Sequence, residues 1–252
     1  MVNLISRPKS GTISAIALLT LAAGSQFGVA ASDGASSETE VLGEAALLSS
    51  AAATFAWSEF ILQPNHRLAI PAGPYRAYNA QTDALSQVVL VAAILLPLSR
   101  AVLTESGGAR ITFGGAFAEA ARHSTTILLA VSAKNVLKAL ISRSRPYASG
   151  PGGTPQDEPE ALLAFPSGHS TIAWASAGES LYLAMKYPRR RAFTALAIGE
   201  AILATAVSVL RVASGEHNPG DVIAGAVIGA GVGVVIQLVR FAPRHSGDRE
   251  VS

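Results

Sequence analysis

The chain has 252 residues, 50% of them hydrophobic and 14% charged, with a mean hydropathy of +0.38; this is too apolar for an ordinary soluble domain and fits a membrane class. Its 19 basic and 17 acidic residues leave a formal charge of +2 without a dense basic face, so nothing in the balance points to nucleic acid as a partner. Zero cysteines exclude disulfides, thiolate catalysis and cysteine-ligated metal, and leave the compartment open.

Arg7 and Lys9 precede an apolar run from about Thr12 to Ala23 and then small residues through Ala31. Residues 1–31 read as a signal anchor retained as a first span or a signal peptide cleaved near Ala30, and 32–252 as one helical domain. Apolar stretches follow at roughly 41–62, 83–103, 123–141, 168–186, 192–212 and 220–240, each near the ~20 residues a bilayer-crossing helix needs. The first is interrupted by Glu44, Trp57 and Glu59 and reads as an interfacial or core helix, with a true span as the other reading. The expectation is an all-α polytopic membrane helix bundle of about six spans. Lys134, Glu179 and Glu200 are expensive in lipid unless they face a protein interior, which keeps a secreted, soluble helical domain open as the alternative. The glycine-rich run Gly225 to Gly233 favours close helix packing.

Charge bias supplies an orientation. Lys186 to Arg191 is the densest basic cluster, and short basic loops stay in the cytoplasm. Alternation from that hairpin puts Arg100, Arg110 and Arg122, and then Arg240, Arg244 and Arg249, on the same inner side. The opposite side, periplasm or exterior, receives 63–82, 142–167 and 211–219.

That outer side carries three ordered strings. In the first, Lys138 and Arg145 are seven apart, so both reach one anion if the helix persists toward Pro146; lysine brings a point charge and arginine a planar fork. Arg143, between them, reads as a snorkelling anchor. In the second, Pro166-Ser167-Gly168-His169, Ser167 is a candidate N-cap, Gly168 lets a ligand approach backbone N–H groups, and His169 can move a proton. A simple capped helix with an interfacial histidine explains this tetrapeptide equally well. The third runs from Arg211 through His217 to Asp221. Asn218 can cap a helix with Pro219 in its first turn, which brings Asp221 within reach of His217 to fix its tautomer. Asp221 is otherwise a helix-start charge, and Glu216 reads as exposed loop. Together the strings hold cations for phosphate oxygens, two histidines and an orienting carboxylate, an inventory for phosphoryl transfer without metal.

Over about 120–240 the chain resembles the type 2 phosphatidic acid phosphatase superfamily, which includes membrane lipid phosphatases and periplasmic acid phosphatases. The resemblance implies that Lys138, Arg145 and Arg211 bind phosphate with Ser167 and Gly168, that His217 is transiently phosphorylated, that Asp221 orients it, and that His169 serves the leaving group. It implies no metal or other cofactor. The serine usual before the third string's arginine is Leu210 here, a lost phosphate contact for which Ser208 or Ser214 are candidate substitutes. The expected partners are a membrane and a lipid phosphomonoester or diphosphate. A lipid phosphotransferase and a class A-like soluble acid phosphatase share the same strings, and a non-enzymatic membrane protein would leave them unexplained. The acidic Pro/Gly loop from Ser149 to Glu160 reads as a border of the entrance or a solvated connector. Trp57, Phe60, Tyr75 and Tyr78 read as interfacial aromatics.

Overall fold

Helix starts follow local chemistry. Asn79 caps one helix by accepting the Thr82 N–H at 3.0 Å, and Asn218 followed by Pro219 opens another. In the computed structural model, which describes residues 37–62, 64–65, 67–100, 113–150 and 159–241, six helices form the architecture. They are α1 (Ser37–Ala56), α2 (Ala80–Leu95), α3 (Phe113–Leu140), α4 (Gly168–Lys186), α5 (Arg191–Ala213) and α6 (Pro219–Arg240). A π turn, Trp57–Ile61, extends α1, and a 3-10 turn, Leu96–Ser99, extends α2. β1 (Leu68–Ala69) and β2 (Ile141–Ser142) pair in parallel, with Leu68 opposite Ile141. The fold is all-α. The expectations about residues 1–31, Arg110, Arg244 and Arg249 lie outside the described residues.

Helix α4 is the central helix, packed chiefly on α6 and α5 and also on α3 and α2. Its inward face is made of small residues. Ala173 and Ala177 join Ala93, Ala204 and Val207 in the core, with Trp174 and Leu203 packed against them. Small residues on α6 let it approach: a Cβ at Gly225 would stand 2.6 Å from the Ser167 carbonyl oxygen, and one at Gly233 would meet the Ala175 carbonyl. Gly231 faces open space and takes no part in this seam.

By length and composition, Ala80–Ser99, α5 and α6 can cross a membrane. The outward residues of these segments are large and apolar, including Val88, Ile202, Val227 and Val239. The expected spans at 123–141 and 168–186 form helices, but polar residues such as Lys134, Asn135, Ser176 and Glu179 keep them off that roll of strongly apolar helices.

The internal charges face protein. Glu179, fully buried on α4, accepts from Arg100 at 2.9 Å and lies 3.0 Å from His123 Nδ1. Arg240 and Arg122 both pair with Glu44 on α1, at 3.1 and 3.0 Å. Arg100, Arg122 and Arg240, grouped on one side by the alternation argument, thus share one ionic network. It begins about 15 Å along α4 from His169, ten residues at 1.5 Å each. Glu200, also buried, accepts from Ser180 at 2.9 Å.

Candidate functional site

The three strings meet at the N-terminal ends of α4 and α6 and the C-terminal ends of α3 and α5. The first and second join where Lys138 Nζ donates to the Leu163 carbonyl at 2.6 Å. The second and third join where Ser167 N–H donates to the Asp221 carbonyl at 3.0 Å. Glu216 bridges the first and third, its Oε2 accepting from Arg211 Nη2 at 3.0 Å and pairing with Arg145 Nη1.

The path from Lys138 to Arg145 is not the helical one expected. Helix α3 ends at Leu140; Ile141 and Ser142 pair with β1, and Arg143 bridges to Leu163. Arg145 is extended (φ −67°, ψ 148°), the conformation that a following proline enforces. The cations converge through this strand-like crossing of the α3 end. Arg143 is also not a snorkelling anchor: its Nη1 donates to Asp221 Oδ1 at 2.7 Å and its Nε to the Pro71 carbonyl at 3.2 Å. Lys134 lies against Gly168, its Cδ 3.4 Å from where a Cβ would stand.

His217 is 2% exposed, and its Nδ1 lies 2.8 Å from the Ala164 carbonyl. A carbonyl only accepts, so Nδ1 carries the hydrogen and Nε2 presents a lone pair. Asp221 Oδ2 is 3.9 Å from Nδ1, too far for a hydrogen bond. It instead accepts the Asn218 N–H at 2.7 Å, while Oδ1 holds Arg143. The carboxylate therefore closes the helix start and lends charge near His217, and the tautomer is set by backbone. Burial, then the positive charges of Arg145, Arg211 and Lys138, hold the imidazole well below its ordinary value.

Ser167 occupies the N-cap position of α4, but its hydroxyl makes no capping bond; Ser167 Oγ, His169 Nε2 and Arg211 Nε are all buried without a protein partner. Free first-turn N–H groups of α4, next to Gly168, add donors suited to an anion. Burial, then the positive charge of Arg211, lowers the His169 imidazole to about 4, so the ring is neutral at rest.

Several contributors were not legible in the strings. Asp83 and Ser86, on the first turns of α2, both hold Arg211 Nη1, Ser86 at 3.2 Å. Ser86 is the hydroxyl that contacts the arginine; Ser208 bonds Ser170 Oγ at 2.5 Å, and Ser214 donates back to the Arg211 carbonyl at 3.0 Å. Glu216, expected as exposed loop, is 8% exposed. Residues 67–79 lie across the strings: Ile70 N–H donates to Ser142 and Asn79 N–H to Ser214. Gly215 packs on the Ala77 carbonyl with φ +79°, a conformation that only glycine takes freely. Glu160, at the border expected of the 149–160 loop, receives Arg145 Nη2 at 3.1 Å; residues 151–158 lie outside the described residues. Phe60, Tyr75 and Tyr78 are exposed.

No solved structure matches the chain. A curated relative, a lipid A 1-phosphatase of Rhizobium etli, is 35% identical over 120 residues, which cover 46% of this chain and 47% of the relative. The chain thus spans about half the length of that relative. The sequence model of the PAP2 superfamily matches residues 119–244, a segment that takes in all three strings, and the chain belongs to the PAP2 superfamily.

Proposed function

We propose that the protein is a metal-independent membrane phosphatase that hydrolyses a lipid phosphomonoester or diphosphate at the periplasmic or outer face, through a phosphohistidine on His217. The observation that carries this reading is the commitment of His217 Nδ1–H to the Ala164 carbonyl, which leaves Nε2 as the free nucleophile among Arg145, Arg211 and Lys138.

In the first step Nε2 attacks phosphorus, a P–N bond forms and the P–O bond to the leaving group breaks. His169 is neutral at rest; the negative charge of the bound phosphate favours its protonation from water, and the ring gives that proton to the departing oxygen. In the second step His169 takes a proton from water, the resulting hydroxide attacks phosphorus, and the P–N bond breaks to release inorganic phosphate and regenerate neutral His217. Arg145, Arg211, Lys138 and the α4 N–H groups offset charge on the equatorial oxygens throughout. Asp221 stabilises the cationic ring of the intermediate at long range, and Arg143 and the Asn218 N–H fix its place.

The apolar outer faces of α2, α5 and α6 support a membrane location, and the basic Lys186–Arg191 hairpin supports an inward-facing opposite end. Phosphatidic acid, phosphatidylglycerophosphate, undecaprenyl diphosphate and the phosphates of lipid A all present a phosphate at such a boundary. The likeness to a lipid A 1-phosphatase makes the 1-phosphate of lipid A the first to test. The test is phosphate release by detergent-purified protein from this panel in excess chelator. Activity that resists chelator and is confined to one lipid class is expected; activity that chelator abolishes would exclude the metal-independent mechanism.

A further inference from the structure

We infer that Glu216 competes with the substrate's phosphoryl group for its arginines and so sets how tightly the site holds phosphate. This rests on the phosphatase reading. Five of the six guanidinium nitrogens of the two arginines contact a protein acceptor, and Arg211 Nε is the one that does not. Arg145 Nε gives to the Glu160 carbonyl at 3.0 Å and Nη2 to the Glu160 carboxylate at 3.1 Å. Arg211 Nη1 is taken by Asp83 and by Ser86. The two terminal nitrogens left, Arg145 Nη1 and Arg211 Nη2, converge on a single atom, Glu216 Oε2. An oxygen gripped by both arginines through these nitrogens takes the place of that carboxylate oxygen.

The backbone around Glu216 is held by hydrogen bonds of its own, separate from the two ion pairs of the side chain. Ser214 N–H donates to Leu210 at 2.8 Å and His217 N–H to Arg211 at 3.2 Å, and Gly215 is pressed on the Ala77 carbonyl. Displacement is therefore a rotation of the Glu216 side chain that leaves His217 seated. Charge decides the exchange. A phosphomonoester carries about −1.5 to −2 near neutral pH against −1 for the carboxylate, whereas a phosphodiester brings no more charge than it displaces. Glu216 thus favours terminal phosphate groups over diester linkages, and by returning to the arginines it promotes release of inorganic phosphate after turnover.

The sign of one substitution tests this. Inorganic phosphate binding is measured by calorimetry on the full chain in detergent, for wild type, Glu216→Gln and Glu216→Asp. The amide keeps the shape and loses the charge, and the shorter carboxylate cannot reach both guanidinium groups. Both variants are expected to bind phosphate more tightly, Glu216→Gln by about tenfold, equivalent to about 1.4 kcal/mol. Equal or weaker binding in the variants would assign Glu216 to positioning the arginines and overturn the inference, as would absence of phosphate binding in all three proteins. Lipid phosphate hydrolysis by wild type is scored separately, so an active hydrolase with the wrong sign loses only the role given to Glu216.

Discussion

Asp83 and Arg211, 128 positions apart in the chain, form an ion pair that ties the start of α2 to the third string. The two carboxylates on Arg211 take different nitrogens: Asp83 holds Nη1, and Glu216 occupies Nη2. Asp83→Ala removes the anchor of an arginine that is 4% exposed. Breaking such a pair costs about 3 kcal/mol. The expected outcome is a lower Tm in detergent together with a fall in kcat/KM of about tenfold or more, since 1.4 kcal/mol of lost transition-state stabilisation is already a factor of ten. Ser86→Ala should show the same effects in weaker form. Wild-type kinetics in Asp83→Ala would show that Arg211 needs no support from α2.

Arg143 is predicted to be structural support for Asp221. The Asp221 carboxylate is fully buried and Arg143 is its side-chain partner at 2.7 Å. Arg143→Ala leaves that charge with the Asn218 N–H and destabilises the protein by about 3–5 kcal/mol. Arg143→Lys retains the charge and restores part of the loss. Thermal melts of the two variants check this, and equal Tm values for Arg143→Ala and wild type would contradict it.

The pH dependence follows from His217. Burial, with the cations around it, holds its imidazole well below the ordinary 6.5. The acid limb that His217 contributes to kcat/KM therefore lies well below pH 6.5, and Arg145→Gln, by removing one of those cations, moves it upward. Stability has the same sign. The unfolded chain binds this proton more readily than the native state, so the contribution of neutral His217 is complete above about pH 6.5 and is lost as pH falls toward the depressed native value. The Tm profile of His217→Gln should be flatter than wild type across that window; parallel profiles would contradict the assignment.

Two glycines of α6 should respond oppositely to a methyl group. In Gly225→Ala the new Cβ would stand 2.6 Å from the Ser167 carbonyl, forcing α6 off the start of α4. Overpacking of this kind costs about 1–3 kcal/mol. Gly231→Ala meets nothing within 4 Å and gains about 1 kcal/mol of helix propensity. Thermal melts of the two variants decide it, and a stable Gly225→Ala would show that the seam is looser than the backbone approach indicates.

The chemistry was legible where function demands fixed residue types at short spacing. Asn218, Pro219 and Asp221 announce a helix start, and the structure has it; Arg211, His217 and Asp221 lie on one end of a hairpin, as α5 and α6 require. What the sequence concealed depends on long-range contact. Nothing near Glu216 signals burial, because its partners Arg145 and Arg211 meet only once α3 and α5 are each packed on α4. Likewise the His217 tautomer is set by the Ala164 carbonyl, a backbone group that leaves no side-chain signature, where spacing alone favoured Asp221. Helical periodicity also overran α3: the pairing of Ile141 and Ser142 with β1, and the proline after Arg145, turn the chain out of the helix before the second cation.

The central claim is that His217 carries the phosphoryl group, and trapping that intermediate tests it most directly. Wild type is mixed with a lipid phosphate substrate, quenched in alkali within the first turnover and mapped by mass spectrometry. An acid-labile, alkali-stable phosphoryl adduct on the peptide containing His217 is expected, absent from His217→Ala, whose phosphate release falls on the order of 10⁴-fold or more. An adduct on another residue, or equal phosphate release by wild type and His217→Ala, would contradict the account.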